Sequence, residues 1–279
     1  MTPFPLCPLF VPANKLDWIK KAETSNADGL IIDLEDSVPP EEKSKTRDSL
    51  IQYLSSEEVS KPFFIRTNPL TSQEGRKDSS SFSAKKKNFL GLMTPKIESL
   101  DELKDLPDTL KIILLVETPQ AIENLDSLAS DIRVSGIALG GADLSAELGS
   151  DMGWDSLLYS RSRIISYASI NGVFSIDSPF MQIDDLEGLE EESKKAKSIG
   201  FTSKFAIHPN QIEIIRRNFL PTNQEIEEAK EIIKAFANSD RGAIAVNGKM
   251  VDEPVVKLMK KKLMLAGFCL LYTSDAADE

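Results

Sequence analysis

Histidine is almost missing from this 279-residue chain, in which His208 is the single one. That count excludes Cys/His zinc fingers and HExxH sites, and no GxSxG turn offers a serine with which His208 could form a triad. Cysteine is nearly as scarce: Cys7 and Cys269 cannot make a disulfide framework. No apolar run approaches the roughly 20 residues of a membrane-spanning helix. The opening MTPFPLCPLFVPANK lacks the basic segment, apolar core and small-residue cleavage site of a secretory leader, so a cytoplasmic location with no membrane partner is expected. Positive charge is also in deficit, with 33 Lys and Arg against 44 Asp and Glu. The resulting net charge of -11 would repel a phosphate backbone and argues against a nucleic-acid partner. With so few nitrogen and sulfur ligands, any metal chemistry must rest on oxygen, which favours Mg²⁺, Mn²⁺ or Ca²⁺.

What is present is a repeating pattern. Short apolar runs at 9–12, 29–34, 63–66, 91–94, 112–116, 136–139, 173–176 and 205–207 are each followed by a polar or Gly/Pro break. Between them lie stretches of helical spacing, among them 41–54, 120–129, 154–171 and 186–199. Alternating β and α units indicate a parallel sheet with helical crossovers, and eight of them suit a closed (β/α)₈ TIM barrel better than an open sheet. A dinucleotide-binding fold lacks its main support, since no GxGxxG follows an early strand. The Ser- and Lys-rich stretch 72–88 reads as a loop with at most a short helix. Basic runs at 85–87 and 260–262 read as solvated helix surface, with the rim of a phosphate-binding pocket as the alternative. The barrel is assigned to residues 1–220 and a C-terminal helical extension, with a helix at 223–238, to residues 221–268.

The residues that end the apolar runs carry the chemistry. They are Asp33, Glu35 and Asp36 after the second run, Arg66 to Asn68 after the third, Pro95-Lys96 after the fourth, and Glu117 after the fifth. Asp143 follows the sixth, Asp177 the seventh and His208 the eighth. In a barrel these ends converge on one mouth, where catalytic groups sit. The expectation is therefore that Asp33, Arg66, Glu117, Asp143 and Asp177 share one face.

In order, LFVPANK, IIDLEDSVPPEEKSKTR, FIRTNPL, TPKIES, LLVETPQAIEN, ALGGADLSAELG, GFTSKFAIHPNQI and NGKMVDEPVV resemble the citrate lyase beta-subunit-like family, the malyl-, citramalyl- and citryl-thioester lyases of the HpcH/HpaI aldolase/citrate lyase superfamily. The resemblance covers about residues 9–267 and implies a (β/α)₈ barrel, a Mg²⁺ cofactor and a homo-oligomer, trimer or hexamer. Matched by motif, Glu117 in VET and Asp143 in GGADL are implied as metal ligands. Arg66 is implied to hold the oxoacid carboxylate, with Asp33 and Glu117 also lining the substrate site. Glu35 and Asp36 are read as partners of Arg66 or of metal-bound water, and Asp252 in NGKMVDEP as the proton donor and acceptor that reaches a neighbouring subunit. Lys43 and Arg47, four apart, match a K-x₃-R pattern and are read equally as helix-surface charges or as site residues. His208 is read as structural. One departure stands out: an arginine common in the family just before LFVP is replaced by Pro5-Leu6-Cys7-Pro8, which is expected to alter substrate preference or weaken activity.

The activity implied is Mg²⁺-dependent cleavage of a 3-hydroxyacyl-coenzyme A, of the malyl or citramalyl kind, to acetyl-coenzyme A and an oxoacid, or the reverse condensation. Two alternatives stand beside it: a citrate lyase beta subunit acting on a citryl-acyl carrier protein, and a catalytically silent binding protein. Residues 269–279, CLLYTSDAADE, resemble a translated sequencing adapter and are expected to be no part of the natural protein.

Overall fold

A computed structural model of the chain describes residues 5–83, 86–239 and 242–267. The adapter-like residues 269–279 and Lys85 of the 85–87 run lie outside these. The described residues form two compact units, one running to Arg216 and a second from Arg217 on.

The first unit contains eight parallel strands, in sequence order: β1 (Pro8–Pro12), β2 (Gly29–Asp33), β3 (Phe63–Arg66), β4 (Phe89–Thr94), β5 (Ile112–Val116), β6 (Val134–Leu139), β7 (Phe174–Asp177) and β8 (Ser203–Lys204). Just past β8, Ala206 bridges Leu9 of β1 in parallel, and the Phe10 N–H donates to the Ala206 carbonyl at 2.9 Å. The sheet is thereby closed on itself, as the eight runs predicted. Side chains alternate across a closed sheet. Ile31, Phe64, Met93, Ile113, Leu115, Ala138, Ile176 and Phe205 fill the interior, with Phe10 against them. Helices cover the outside through apolar stripes at helical spacing. Helix Leu186–Ile199, for example, buries Leu189, Ser193 and Ala196.

The stretch 72–88, read as a loop with at most a short helix, carries a nine-residue helix, Gln73–Ser81. The hydroxyl of Ser72 caps it by accepting from the Gly75 N–H, and its Asp78 is fully buried. Its composition is poor for a helix, so long-range pairing of Asp78 decides the outcome.

The second unit is less purely helical than expected. Helix Asn223–Ala237 starts with a capping box between Thr222 and Glu225. It is followed by a hairpin of β9 (Ala243–Val246) and β10 (Lys249–Asp252), then by helix Glu253–Leu265. Asn247 and Gly248 turn the hairpin at φ 50° and 75°, the left-handed pair that a tight two-residue turn requires. Ala229, Ile232, Val251, Val256, Met259 and Leu263 form this unit's own core. Among the described residues no helix is long and apolar enough to cross a membrane.

Candidate active site

The C-terminal ends of the strands open on a cavity of about 880 Å³ lined, among others, by Asp33, Asp36, Arg66, Glu117, Asp143 and His208. Strand parity brings them there. Asp33, Arg66 and Glu117 each lie two residues beyond an interior residue, Ile31, Phe64 and Leu115, so they extend the inward rows past the apolar core.

Arg66 and Asp33 form a two-pronged pair, Nε to Oδ1 at 2.6 Å and NH2 to Oδ2 at 2.8 Å. Burial alone would raise the Asp33 carboxyl, but the guanidinium outweighs it and holds the group below the usual range. NH1 of Arg66 lies 3.2 Å from Asp36 Oδ2 and 3.1 Å from Glu35 Oε2, and the guanidinium stacks 5.1 Å from the Phe10 ring centre. Glu35 Oε2 nevertheless has no well-aligned hydrogen bond although it is buried. Burial, reinforced by the neighbouring Asp36 and Asp33 charges against the pull of Arg66 and Lys96, pushes Glu35 up to about 7.

Glu117 is 2% exposed and accepts one hydrogen bond, from the Lys96 N–H at 3.0 Å. Burial first, then the Glu35 and Asp143 charges, push its carboxyl up to about 8. Gly140 makes the room for it: a β-carbon there would stand 2.5 Å from both Glu117 Cβ and Oε2. Asp143 sits in the first turn of helix Gly141–Leu148, where the helix dipole favours an anion. The Lys96 ammonium lies 3.5 Å from Asp143 Oδ1 and 3.5 Å from Glu35 Oε1. Lys96 thus has a place in the mouth beyond that of a strand terminator, and its position directly after β4 is the sequence signal for it.

Behind the mouth a buried network fixes the loops. Lys43 donates to the Glu35 carbonyl at 3.2 Å and to Asn68 Oδ1. Asn68 in turn donates to the Leu34 carbonyl at 3.1 Å and to Asp78 at 2.8 Å, and Arg47 Nε donates to Asp78 at 2.6 Å. Lys43 and Arg47 are thus neither solvated surface charges nor cavity lining; they tie the loop after β2 to the loop after β3. Asp78, which had no sequence signal, is the hub.

One expectation, that Asp177 shares the mouth, is corrected. Asp177 does not join the mouth: its neighbour Ile176 points inward, so Asp177 points outward, fully buried, 2.9 Å from Arg161 Nε and 2.7 Å from Lys204 Nζ. Burial would raise its carboxyl, yet the two cations hold it below the usual range. The departure at residues 5–8 lies at the entry to β1, the far end of the strand from the mouth, with the Cys7 N–H donating to Asp28 at 3.2 Å. His208 lines the cavity, its Nδ1 accepting from the Asn210 N–H at 3.3 Å, which leaves Nε2 as the protonated nitrogen. Asp252, in the second unit, caps helix Glu253–Leu265 by accepting from the Val255 N–H at 3.2 Å.

The donors of the mouth fit a hard dication. Its candidate ligands are carboxylate oxygens, Glu35 keeps a buried oxygen without a hydrogen bond, and Glu117 is raised by burial and by the neighbouring Glu35 and Asp143 charges. Among the described residues no three His, Cys, Asp or Glu groups are arranged to hold a metal. Mg²⁺ takes one or two protein carboxylates and completes its octahedron with water and substrate.

Comparison with known proteins agrees with this chemistry. A family model described as HpcH/HpaI aldolase/citrate lyase matches residues 7–209. Human mitochondrial citramalyl-CoA lyase is 27% identical over 286 residues, covering 92% of this chain and 84% of that protein. A (3S)-malyl-CoA thioesterase of Cereibacter sphaeroides is 32% identical over 253 residues, 88% of each chain. The solved structure of the CitE protein of Mycobacterium tuberculosis in complex with magnesium, acetoacetate and coenzyme A superposes with a TM-score of 0.81 at 29% identity, covering 96% of this chain and 100% of that one.

Proposed function

This chain belongs to the HpcH/HpaI aldolase/citrate lyase family, and on that premise we propose that Glu117 and Asp143 hold its magnesium at the barrel mouth while Arg66 binds a substrate carboxylate. The protein is an enzyme, a magnesium-dependent lyase of coenzyme A thioesters. The residue assignment rests on one observation: two strand-end carboxylates line a single cavity, one of them raised to about 8 by burial and like charge.

Held by Glu117 and Asp143, a magnesium ion would supply Lewis acidity for cleavage of a 3-hydroxyacyl substrate. The protein's own groups position the rest. Asp33 holds the Nε and NH2 side of Arg66, so the NH1 edge, now shared by the exposed Asp36 and by Glu35, is the one a substrate carboxylate takes. Cleavage of the carbon-carbon bond leaves a thioester enolate that needs a proton from a placed acid, and condensation needs the same group as base. We assign that role to Asp252 of a neighbouring copy in a homo-oligomer, trimer or hexamer, on the match of its NGKMVDEP segment to the family motif. The free, buried thiol of Cys7 suits a reducing cytoplasm.

The substrate we favour is malyl- or citramalyl-coenzyme A. A second reading, hydrolysis of the thioester, is supported by the name of the Cereibacter relative. The test is to incubate the protein with malyl-, citramalyl- and citryl-coenzyme A, and with a citryl-acyl carrier protein, in magnesium and in EDTA, following oxoacid and free thiol separately. Magnesium-dependent oxoacid release without free thiol is expected. Free thiol without oxoacid would establish hydrolysis instead, and activity only on the carrier protein would mark a citrate lyase subunit.

A further inference from the structure

Lys96 reaches three carboxylates of the mouth with two different groups. Its N–H holds Glu117 Oε1 at 3.0 Å, and its ammonium stands between Glu35 Oε1 and Asp143 Oδ1, 3.5 Å from each. Its backbone sits at φ 50°, in the left-handed region that a residue with a β-carbon enters only when its surroundings demand it. The Nε and NH2 edge of Arg66 is taken up by Asp33, and Lys96 is the cation that pairs with Asp143 among the described residues.

We propose that Lys96 is a built-in competitor for the metal: its ammonium holds Asp143 against Glu35 in the metal-free chain, and a divalent cation binds by displacing it from Asp143. The inference rests on Asp143 being a metal ligand, as assigned above. The argument is one of space and charge. An ammonium 3.5 Å from Asp143 Oδ1 is a counter-ion of that oxygen, and a dication placed beside the same carboxylate would stand a few ångströms from a like charge. Glu35, 3% exposed and fixed by the loop that Lys43 ties down, is the anchor to which the displaced lysine stays tethered. Competition of this kind sets the metal affinity below what the carboxylates alone would give. It also keeps the anionic mouth folded before the ion arrives.

The experiment titrates MgCl₂ calorimetrically into the full chain and its Lys96→Met and Lys96→Arg variants, with melting in EDTA measured alongside. Lys96→Met should bind magnesium about tenfold more tightly, the screening of a half-exposed pair limiting the gain. It should also melt below the wild type in EDTA, with the gap closing in saturating magnesium, and Lys96→Arg should return both quantities toward the wild type. As a readout in the unaltered protein, the Lys96 Cε signal of ¹³C-lysine-labelled chain, identified by its absence in Lys96→Arg, should shift on adding magnesium. Equal or weaker binding by a folded Lys96→Met, or an unmoved signal at magnesium saturation, overturns the competition while leaving the metal site in place. A wild-type chain that takes up no magnesium overturns the metal site itself, and this inference with it.

Discussion

Raising the pH should weaken the metal-free barrel, and Glu117 is the main reason. Burial and neighbouring carboxylates push Glu117 up to about 8 and Glu35 up to about 7, against 4.5 for an ordinary glutamate. Between pH 4.5 and 8 the folded chain therefore keeps protons that the unfolded chain has released. Stability falls as the pH rises through this window, and the loss due to these groups is complete above their folded values. At about 1.36 kcal/mol per pH unit, the Glu117 displacement from 4.5 to about 8 corresponds to roughly 4–5 kcal/mol as an upper figure. Glu35 and Glu117 raise each other, so their contributions do not add. Asp33 and Asp177 act in the opposite sense, and because they are held below the ordinary 3.8 they act only at lower pH. Trp18 and Trp154, the chain's two tryptophans, both lie in the first unit, so their fluorescence follows the barrel alone. In EDTA the midpoint should drop on the order of 10 °C from pH 5.5 to pH 8. Magnesium should restore it most at the higher pH, since ligation needs the ionised carboxylate. Glu117→Gln should remove most of the drop. A wild-type midpoint that stays level or rises over this range in EDTA would refute the reasoning, as would a full drop in Glu117→Gln.

Gly140→Ala should cost about 1–3 kcal/mol from overpacking and weaken magnesium binding, since the new carbon would stand 2.5 Å from Glu117 Oε2; unchanged metal affinity by calorimetry would contradict this. Asp177→Asn should destabilise the barrel by about 3–5 kcal/mol by stranding Arg161 and Lys204, with metal affinity unaltered in the folded fraction, and denaturant melts with magnesium titration check both halves. Arg66→Lys should lower kcat/KM by about a hundredfold, because a point charge cannot serve Asp33 with two prongs and a substrate carboxylate as well; steady-state kinetics near the wild-type rate would remove Arg66 from the site.

The barrel and most of its mouth were legible because both depend on one-dimensional pattern. Eight apolar runs with polar terminators give the strand count, and the residue ending each run gives the rim. What the terminators alone do not carry is parity. Counting in twos along β7 puts Ile176 and Asp177 on opposite faces, so an inward Ile176 turns Asp177 outward, toward Arg161 and Lys204. The hairpin of the second unit does not figure in the sequence analysis, although Asn247-Gly248 is a strong turn signal. Helix Gln73–Ser81 was not legible, because its Ser-rich composition opposes a helix and the buried Asp78–Arg47 pair that organises it spans 31 positions. Lys96 falls between these cases: its place at a strand end was visible, but its bridging of Glu35 and Asp143 depends on three separate loops meeting.

The most direct test of the account is how manganese, as a paramagnetic stand-in for magnesium, binds to the wild type, Glu117→Gln and Asp143→Asn, measured by electron paramagnetic resonance. The account predicts one site per wild-type chain, emptied by excess magnesium, and at least a tenfold loss of affinity in each variant, because an amide is a poor ligand for a hard cation. Wild-type affinity retained in both folded variants would contradict it.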